Sequence, residues 1–445
     1  MTESVGQHRS PIVDVARVGI YRADVPAASN MSVIGSAEAM RELLGARRPA
    51  HSLDRDFYTS DVFHQLDLDH IWHREWIFVG HVGSISKPGD FLTVQIGDFN
   101  ILVVRGVDDE VRAMHNVCRH RGSMLCDEPS GSVRRRIVCP YHQWAYELDG
   151  SLAKARQTPE GFDAADHGLG QAACQIVSGL VFVSVAARPP DFAAVRGLVE
   201  PYLAPFDLSR AQVAATSTVV ENGNWKLVME NNRECFHCRS THPELCATFP
   251  EAPLHSGGAT GDDLAQLERL VGHAEAMGLP SRFVASADLQ YRAMRMPLLG
   301  DARSMTMTGA PAVGRTFGQL PPDNIGDVLL YHYPSSWNHF MADHAVTFSM
   351  LPIGPTQTQL TTTWLVPAGA KEGVDYDLDN LTSVWLATNA QDKALVERTQ
   401  RGVHSPAYRP GPYSPVEEEG VVQFIDWYAA SMLRGLGAGS TEAIR

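Results

Sequence analysis

The chain has 445 residues, 44% hydrophobic and 20% charged, with a formal net charge of −14. That apolar content supplies one large core or two smaller ones, and the acidic balance argues against a nucleic-acid partner or an anionic membrane surface. No stretch reaches the roughly 20 apolar residues of a membrane-spanning helix, and residues 1–30 lack the roughly 7–15-residue apolar core of a secretion signal, so the expected location is the cytoplasm.

In chain order, residues 54–78 have helical character, with Phe63, Leu66, Ile71 and Trp72 among the apolar positions. Residues 91–105 read as two short strands joined by Gly97-Asp98, and strand signals continue at 137–138, 144–148 and 180–185, with Asp149-Gly150 as a hairpin turn. Residues 80–190 are therefore expected to form a small β-rich module. A linker with a short helix follows at 187–201, and a new strand starts near Gln212. Helices are expected over 224–238, 264–277, 376–401 and 424–436, and several strands between 315 and 366. Strands and helices without a strict βαβ rhythm point to α+β for this half.

The seven cysteines, at 118, 126, 139, 174, 235, 238 and 246, are odd in number and unevenly spread. That is a poor disulfide framework, and clustered cysteines in a reducing compartment point to metal. Cys118-x-His120 is followed, after 18 residues, by Cys139-x-x-His142. Two thiolates and two imidazoles in mixed pairs match a Rieske [2Fe–2S] centre, Cys₂ on one iron and His₂ on the other. Zinc also takes Cys₂His₂, but a finger pairs Cys with Cys and His with His before a helix; here aromatic strand residues follow. Gly122 and Gly131 suit tight loops. Cys126 reads as a buried thiol and His115 as a packed or surface histidine.

A second group lies in NWKLVMENNRECFHCRSTHPEL, from Asn224 onward. Two histidines and one carboxylate make the facial triad of oxygen-activating Fe(II). Glu234 and His237, three apart, share a helical face. His237 and His242 are about 140° apart on an ideal helix, so they meet at one metal only if the helix is distorted or ends between them; Pro243 makes an end plausible. Cys235-x-x-Cys238 is open to a redox or zinc reading, but redox pairs sit at helix N-termini and this one falls inside an expected helix, which favours packed free thiols. The third ligand is sought downstream in the polar stretch Asn389-Ala390-Gln391-Asp392, where Asp392 is chosen; Asp375, Asp377 and Asp379 read as capping or preceding that helix.

Together these residues resemble the α-subunit family of Rieske non-haem iron oxygenases, from about Ser52 to Leu436. Within it the chain looks most like the demethylating, glycine betaine monooxygenase branch, through HNVCRHRGS (115–123), VCPYHQWAYELDG (138–150), NWKLVMENNRECFHC (224–238), RMPLL (295–299), SWNHFMADH (336–344), EGVDYDL (372–378) and QRGVHSPAYRPGPYS (400–414). The resemblance implies an α+β protein: an N-terminal lead-in (1–80) packing on the catalytic domain, an antiparallel β Rieske domain (81–190), and a helix-grip, START-like catalytic domain (191–445). It implies that Cys118, His120, Cys139 and His142 hold the cluster, that His237, His242 and Asp392 hold the mononuclear iron, and that Asn231 is a polar group near it. Glu234 stands where aromatic dioxygenases usually carry an Asp that bridges to a Rieske histidine of the neighbouring subunit, and Glu there fits the quaternary-amine branch. A head-to-tail homotrimer follows from that bridge.

The implied reaction is oxidative N-demethylation of a quaternary ammonium substrate with O₂: glycine betaine to dimethylglycine and formaldehyde. The chain has neither a dinucleotide fingerprint nor a plant-type ferredoxin motif, so electrons from NADH require a separate flavin/iron–sulfur reductase. Recognition of a quaternary ammonium group calls for aromatic faces, with Phe236, Tyr331, Tyr333, Trp337 and Phe340 as candidates, and the substrate carboxylate calls for a cation such as Arg292 or Arg295. His332, His339 and His344 read as packed histidines. The other readings are demethylation of a proline betaine or carnitine-like compound, aromatic hydroxylation, a bare Rieske electron carrier, and a START-like binding protein. The second metal group argues against the last two.

Overall fold

Short apolar runs punctuated by Gly and Asp turns give the first half its strands. The computed structural model describes residues 30–250 and 259–437; residues 1–29, read above for a secretion signal, lie outside them. The strands of this half are β1 (Ile77–His81), β2 (Asp90–Ile96), β3 (Phe99–Arg105), β4 (Val111–His115), β5 (Ser130–Ser132), β6 (Ile137–Val138), β7 (Ala145–Tyr146), β8 (Leu152–Lys154), β9 (Gln171–Val177) and β10 (Leu180–Ser184). Seven of them form an antiparallel sheet in the order β1-β10-β9-β4-β3-β2-β5, and β6-β7-β8 form a second. β2 and β3 close as a hairpin with Ile96 opposite Phe99, and Gly97 supplies the positive φ (56°) that the turn needs. Gly131 departs from expectation: it lies in β5, and a Cβ there would stand 2.7 Å from the Phe91 ring, so it serves strand packing rather than a tight loop.

The second half is built on β11 (Gln212–Glu221), β12 (Val284–Ala285), β13 (Tyr291–Met296), β14 (Asp327–His332), β15 (Ser336–Phe340), β16 (Ala345–Gly354) and β17 (Gln357–Val366), an antiparallel sheet ordered β11-β17-β16-β15-β14-β13-β12. β13 and β15 are buried along their whole length, as strands covered on both faces must be. The helices are α1 (Asn30–Ala46), α2 (Asp56–Thr59), α3 (Asp61–Asp67), α4 (Ala193–Leu203), α5 (Trp225–Asn232), α6 (Cys238–Thr241), α7 (Gly261–Ala276), α8 (Leu378–Val403) and α9 (Glu419–Gly437). The sheet grips α8, whose buried stripe includes Leu381, Val384, Trp385 and Thr388. Asn389 ties α8 to β17 through the Thr362 hydroxyl (2.9 Å). Among the described residues no helix is long and apolar enough to cross a membrane.

Two helical expectations change. The 54–78 segment splits into α2, α3 and a π-helical turn (Leu68–Trp72), and β1 has already begun by Ile77; the Ser60 hydroxyl caps α3 by accepting the Phe63 amide. The 224–238 helix stops at Asn232, and a fresh turn starts at Cys238. The Glu234 carboxylate accepts the amides of Phe236 and His237, so a side chain replaces the helical carbonyls there. The start of α5 is held firmly. Asp67 on α3 accepts the Trp225 indole N–H (3.0 Å), the Tyr428 hydroxyl (2.7 Å) and the buried Lys226 ammonium.

Candidate functional site

The first centre lies at the tips of two turns. The Cys118–Gly122 turn follows β4; the Gly122 amide donates to the Cys118 carbonyl (2.9 Å) and Gly122 takes φ +75°. The Cys139–Gln143 turn joins β6 to β7, with the Gln143 amide on the Cys139 carbonyl (3.1 Å). Cys118 and Cys139 are buried, free of disulfides, and close enough for their thiols to interact. The His120 and His142 rings stand 4.6 Å apart, and the buried Nδ1 of His142 has no hydrogen-bond partner. An orphaned imidazole nitrogen beside two unpaired thiols suits an iron–sulfur cluster. Burial disfavours both thiolates. At Cys139 the amides of Tyr141 and His142 outweigh it and hold the thiol below its ordinary value, whereas at Cys118 burial prevails and raises it. The Tyr146 hydroxyl accepts the Arg119 amide (3.0 Å) and lies 3.3 Å from Cys118 Sγ, where it would donate to a cluster-bound thiolate; motif spacing alone does not reveal this contact. Trp144 stacks on His120 at 4.9 Å. Cys126 is a buried free thiol that burial pushes up to about 11.

The second centre forms where the helix break puts His237 at the entry and His242 at the exit of α6. Asp392 reaches the same point from α8. His237 Nε2 and His242 Nε2 are 3.0 Å apart, and Asp392 Oδ1 lies 3.2 and 2.9 Å from them. Three donors about 2.1 Å from one ion at right angles would be separated by about 3.0 Å, so the residues present fit a metal. Cys238 Sγ also lies within 4.8 Å of the histidine nitrogens, but it is bonded to Cys235 and offers no thiolate. That disulfide corrects the reading of packed free thiols, and the pair straddles the break, Cys235 within it and Cys238 opening α6.

The outer nitrogens of both histidines are engaged. Glu234 Oε1 is 2.5 Å from His237 Nδ1, and Gln391 Oε1 is 2.8 Å from His242 Nδ1. Acceptors there keep the proton on Nδ1 and leave each Nε2 lone pair facing the centre. Gln391 is a further site residue, unassigned by the sequence reading although it adjoins Asp392. Asn231 Nδ2 stands 3.3 Å from His237 Nε2. Burial opposes a charged imidazole, yet Asp392 and Glu234 outweigh it and lift His237 to about 9. The cluster attracts positive charge, which a site for a divalent ion requires.

A cavity of about 540 Å³ includes the triad in its wall and is bordered by α7, α8, Glu417 and the start of α9 at Glu419, β13, β14 and the segment from Asn231 to Pro250. Of the five aromatic candidates only Tyr331 lines it. Phe236 is 64% exposed, Tyr333 packs on Phe424 and Trp427, Trp337 stacks on Phe348, and Phe340 sits against Phe206 in another core. The aromatic walls are instead Phe249, Phe283 and Trp385. Trp385 shares the inner face of α8 with Asp392, two turns and about 10 Å along the axis, and lies 4.6 Å from the His339 ring. His339 reaches the wall while its Nδ1 is paired with Asp327 (2.7 Å); His332 and His344 are packed elsewhere. Arg292 lines the cavity, and Arg295 is turned away onto the carbonyls of Pro280 and Ile325.

Comparison with known proteins accords with this layout. A family model described as the Rieske [2Fe-2S] domain matches residues 75–173, and one described as the ring hydroxylating alpha subunit (catalytic domain) matches residues 208–434. The glycine betaine monooxygenase oxygenase subunit of Chromohalobacter salexigens is 45% identical over 406 residues, covering 90% of each chain. That of Pseudomonas aeruginosa is 42% identical over 407 residues, covering 91% of this chain and 94% of the relative. Among solved structures, the quaternary ammonium Rieske monooxygenase CntA in complex with gamma-butyrobetaine superposes with a TM-score of 0.65 at 21% identity, covering 88% of this chain and 98% of that one. Naphthalene 1,2-dioxygenase from Rhodococcus sp. does so at 0.63 and 17%, covering 91% and 99%; both likenesses concern the fold.

Proposed function

Since the chain belongs to the Rieske ring-hydroxylating oxygenase α-subunit family, we propose that it oxidatively N-demethylates glycine betaine. The observation that carries the substrate is the 45% identity, over 90% of both chains, with an enzyme of that name. Carnitine monooxygenase oxygenase subunits match only 44% of this chain, at 32–34% identity, which makes a carnitine-like substrate the weaker reading. Betaine, O₂, NADH and a proton would give dimethylglycine, formaldehyde, water and NAD⁺. The electrons would pass from NADH through a separate reductase.

Cys118, His120, Cys139 and His142 would hold the cluster, whose exposed ligand His120 faces solvent. His237, His242 and Asp392 would hold the iron, with residues 81–190 and 191–445 as the two functional domains and 1–80 as a lead-in on the second. When bound, the two centres supply electron storage and activation of O₂. The chain's own residues do the rest. Glu234 and Gln391 fix the two imidazoles, Asn231 offers an amide beside His237, and the apolar walls exclude water from the methyl group to be oxidised. Glu234, with one oxygen on His237, would face a neighbouring subunit's cluster in a head-to-tail homotrimer in the cytoplasm. Formaldehyde release is the test. Purified chain, a surrogate reductase, NADH and O₂ are offered glycine betaine, proline betaine, carnitine and an aromatic acid. Betaine-dependent formaldehyde matching NADH consumption is expected; its absence from a fully iron-loaded protein would overturn the reading.

A further inference from the structure

Two arginines face this cavity without a counter-ion. Arg292, on β13, is 3% exposed, and Arg233 caps α5 beside it. Among the described residues neither guanidinium has a carboxylate within ion-pair distance. Arg233 Nε (2.9 Å) and Arg292 Nη2 both donate to the single hydroxyl of Tyr333, Arg292 Nη1 donates to Gln423, and the buried Nε of Arg292 has no partner. Their planes lie over the Tyr331 and Tyr333 rings, at 4.1 Å for Arg233 and 4.7 Å for Arg292. Two like charges sharing one neutral hydroxyl, with no carboxylate in direct contact, are left without an ionic partner. Their forked donors match a carboxylate.

We infer that the Arg233–Arg292 pair is the receptor for the carboxylate of a zwitterionic quaternary-ammonium substrate, and that it thereby directs the N-methyl end to His237, His242 and Asp392. The inference rests on the demethylase reading and deepens it. It also reassigns Tyr331 and Tyr333, which brace guanidiniums rather than caging the substrate cation, and leaves that role to Phe249 and Trp385. A quaternary alcohol such as choline would leave both guanidiniums uncompensated and be rejected, because sites built to bind a polar group discriminate strongly against ligands that lack it.

The test is calorimetric binding to the iron-loaded full-length protein under anaerobic conditions, without turnover. Wild type should bind glycine betaine at least ~30-fold more tightly than choline, and acetate should compete with betaine. Arg292→Gln should weaken betaine at least ~30-fold and leave choline within about threefold, with Arg292→Lys in between. Circular dichroism and the thermal unfolding transition report whether each variant is folded. A folded Arg292→Gln protein that binds betaine as wild type does would overturn the inference. So would wild type that binds choline and betaine equally or ignores acetate, a measurement that needs no variant. If no N-methyl compound yields formaldehyde but acetate still binds in an Arg292-dependent way, the demethylase reading falls and the carboxylate receptor stands.

Discussion

Gln391→Met removes the acceptor of His242 Nδ1 while roughly keeping side-chain volume. In the structure the Gln391 amide cannot turn freely. Its Nε2 donates to Glu244 Oε2 (3.1 Å), so its Oε1 must face His242 at 2.8 Å. The acceptor fixes the proton on Nδ1, and Nε2, 2.9 Å from Asp392 Oδ1, keeps its lone pair for a metal. Methionine sulfur is a weak acceptor, so the imidazole loses its bias between tautomers and its orientation. Loss of such an outer partner typically lowers metal affinity about 10- to 100-fold, roughly 1.4–2.8 kcal/mol. Fe(II) titrated into apo protein, or Co(II) followed by its visible bands, measures the midpoint. The cluster's own absorbance serves as an internal control, since Gln391 does not contact that centre. A Gln391→Met protein with an intact cluster and a metal midpoint within about threefold of wild type would refute the argument that this amide sets the tautomer.

Three further outcomes are expected. Tyr146→Phe removes the hydroxyl donor from Cys118 Sγ; such a bond favours the reduced, more negative cluster, so the reduction potential should fall by on the order of 60 mV, the one-electron equivalent of about 1.4 kcal/mol, read by redox titration of the visible spectrum. His81 is neutral and satisfied, accepting the Gly83 amide at Nδ1 (3.0 Å) and pairing Nε2 with the Leu208 carbonyl (2.9 Å), and burial pulls it down to about 4. A depressed folded value means that its contribution is complete above about 6.5 and is lost as pH falls toward about 4, up to roughly 3 kcal/mol at about 1.36 kcal/mol per pH unit. Urea midpoints between pH 7.5 and 4.5 should show that slope in wild type and a shallower one in His81→Leu. Trp385→Ala should destabilise the protein by about 3–5 kcal/mol and raise the KM for betaine more than that for O₂; equal effects on both would mean that the indole only fills space.

Legibility in the sequence follows the distance over which each feature is specified. The cluster residues Cys118, His120, Cys139 and His142 are legible because each pair sits within one short turn, where spacing dictates geometry. The hairpin at Gly97-Asp98 and the buried stripe of α8 are legible for the same local reason. The α5 break is not. Trp225, Val228 and Met229 keep helical spacing, and the competing forces are the Glu234 carboxylate seizing two amides and the Arg233 guanidinium settling on Tyr331, about a hundred residues away in the chain. Aromatic candidates fail similarly, because residue type does not say which face of a strand meets a cavity. Tyr331 lies on β14 and Tyr333 in the turn just past its end, both aromatic and two apart, yet only Tyr331 reaches the wall.

The charges around the cavity bear on how a zwitterion must lie in it. Asp392 and Glu234 bring two negative charges to the imidazole pair, which a divalent ion would offset, leaving that part of the wall near neutrality and lined by Trp385. Arg233 and Arg292 bring two positive charges that, among the described residues, form no ion pair; their direct acceptors are the neutral Tyr333 and Gln423. A betaine turned the wrong way would set its carboxylate beside Asp392 and its trimethylammonium beside two guanidiniums, and both contacts are repulsive. Turned the right way, each charge meets its complement or a neutral aromatic face, and an N-methyl group rather than the carboxylate stands before the triad. Specificity and regiochemistry then come from one device, because the contact that admits the carboxylate also selects the carbon to be oxidised. The consequence is measurable: weakening the arginine pair should uncouple NADH and O₂ consumption from formaldehyde as well as raise KM, whereas damage to the aromatic wall alone should raise KM with coupling preserved.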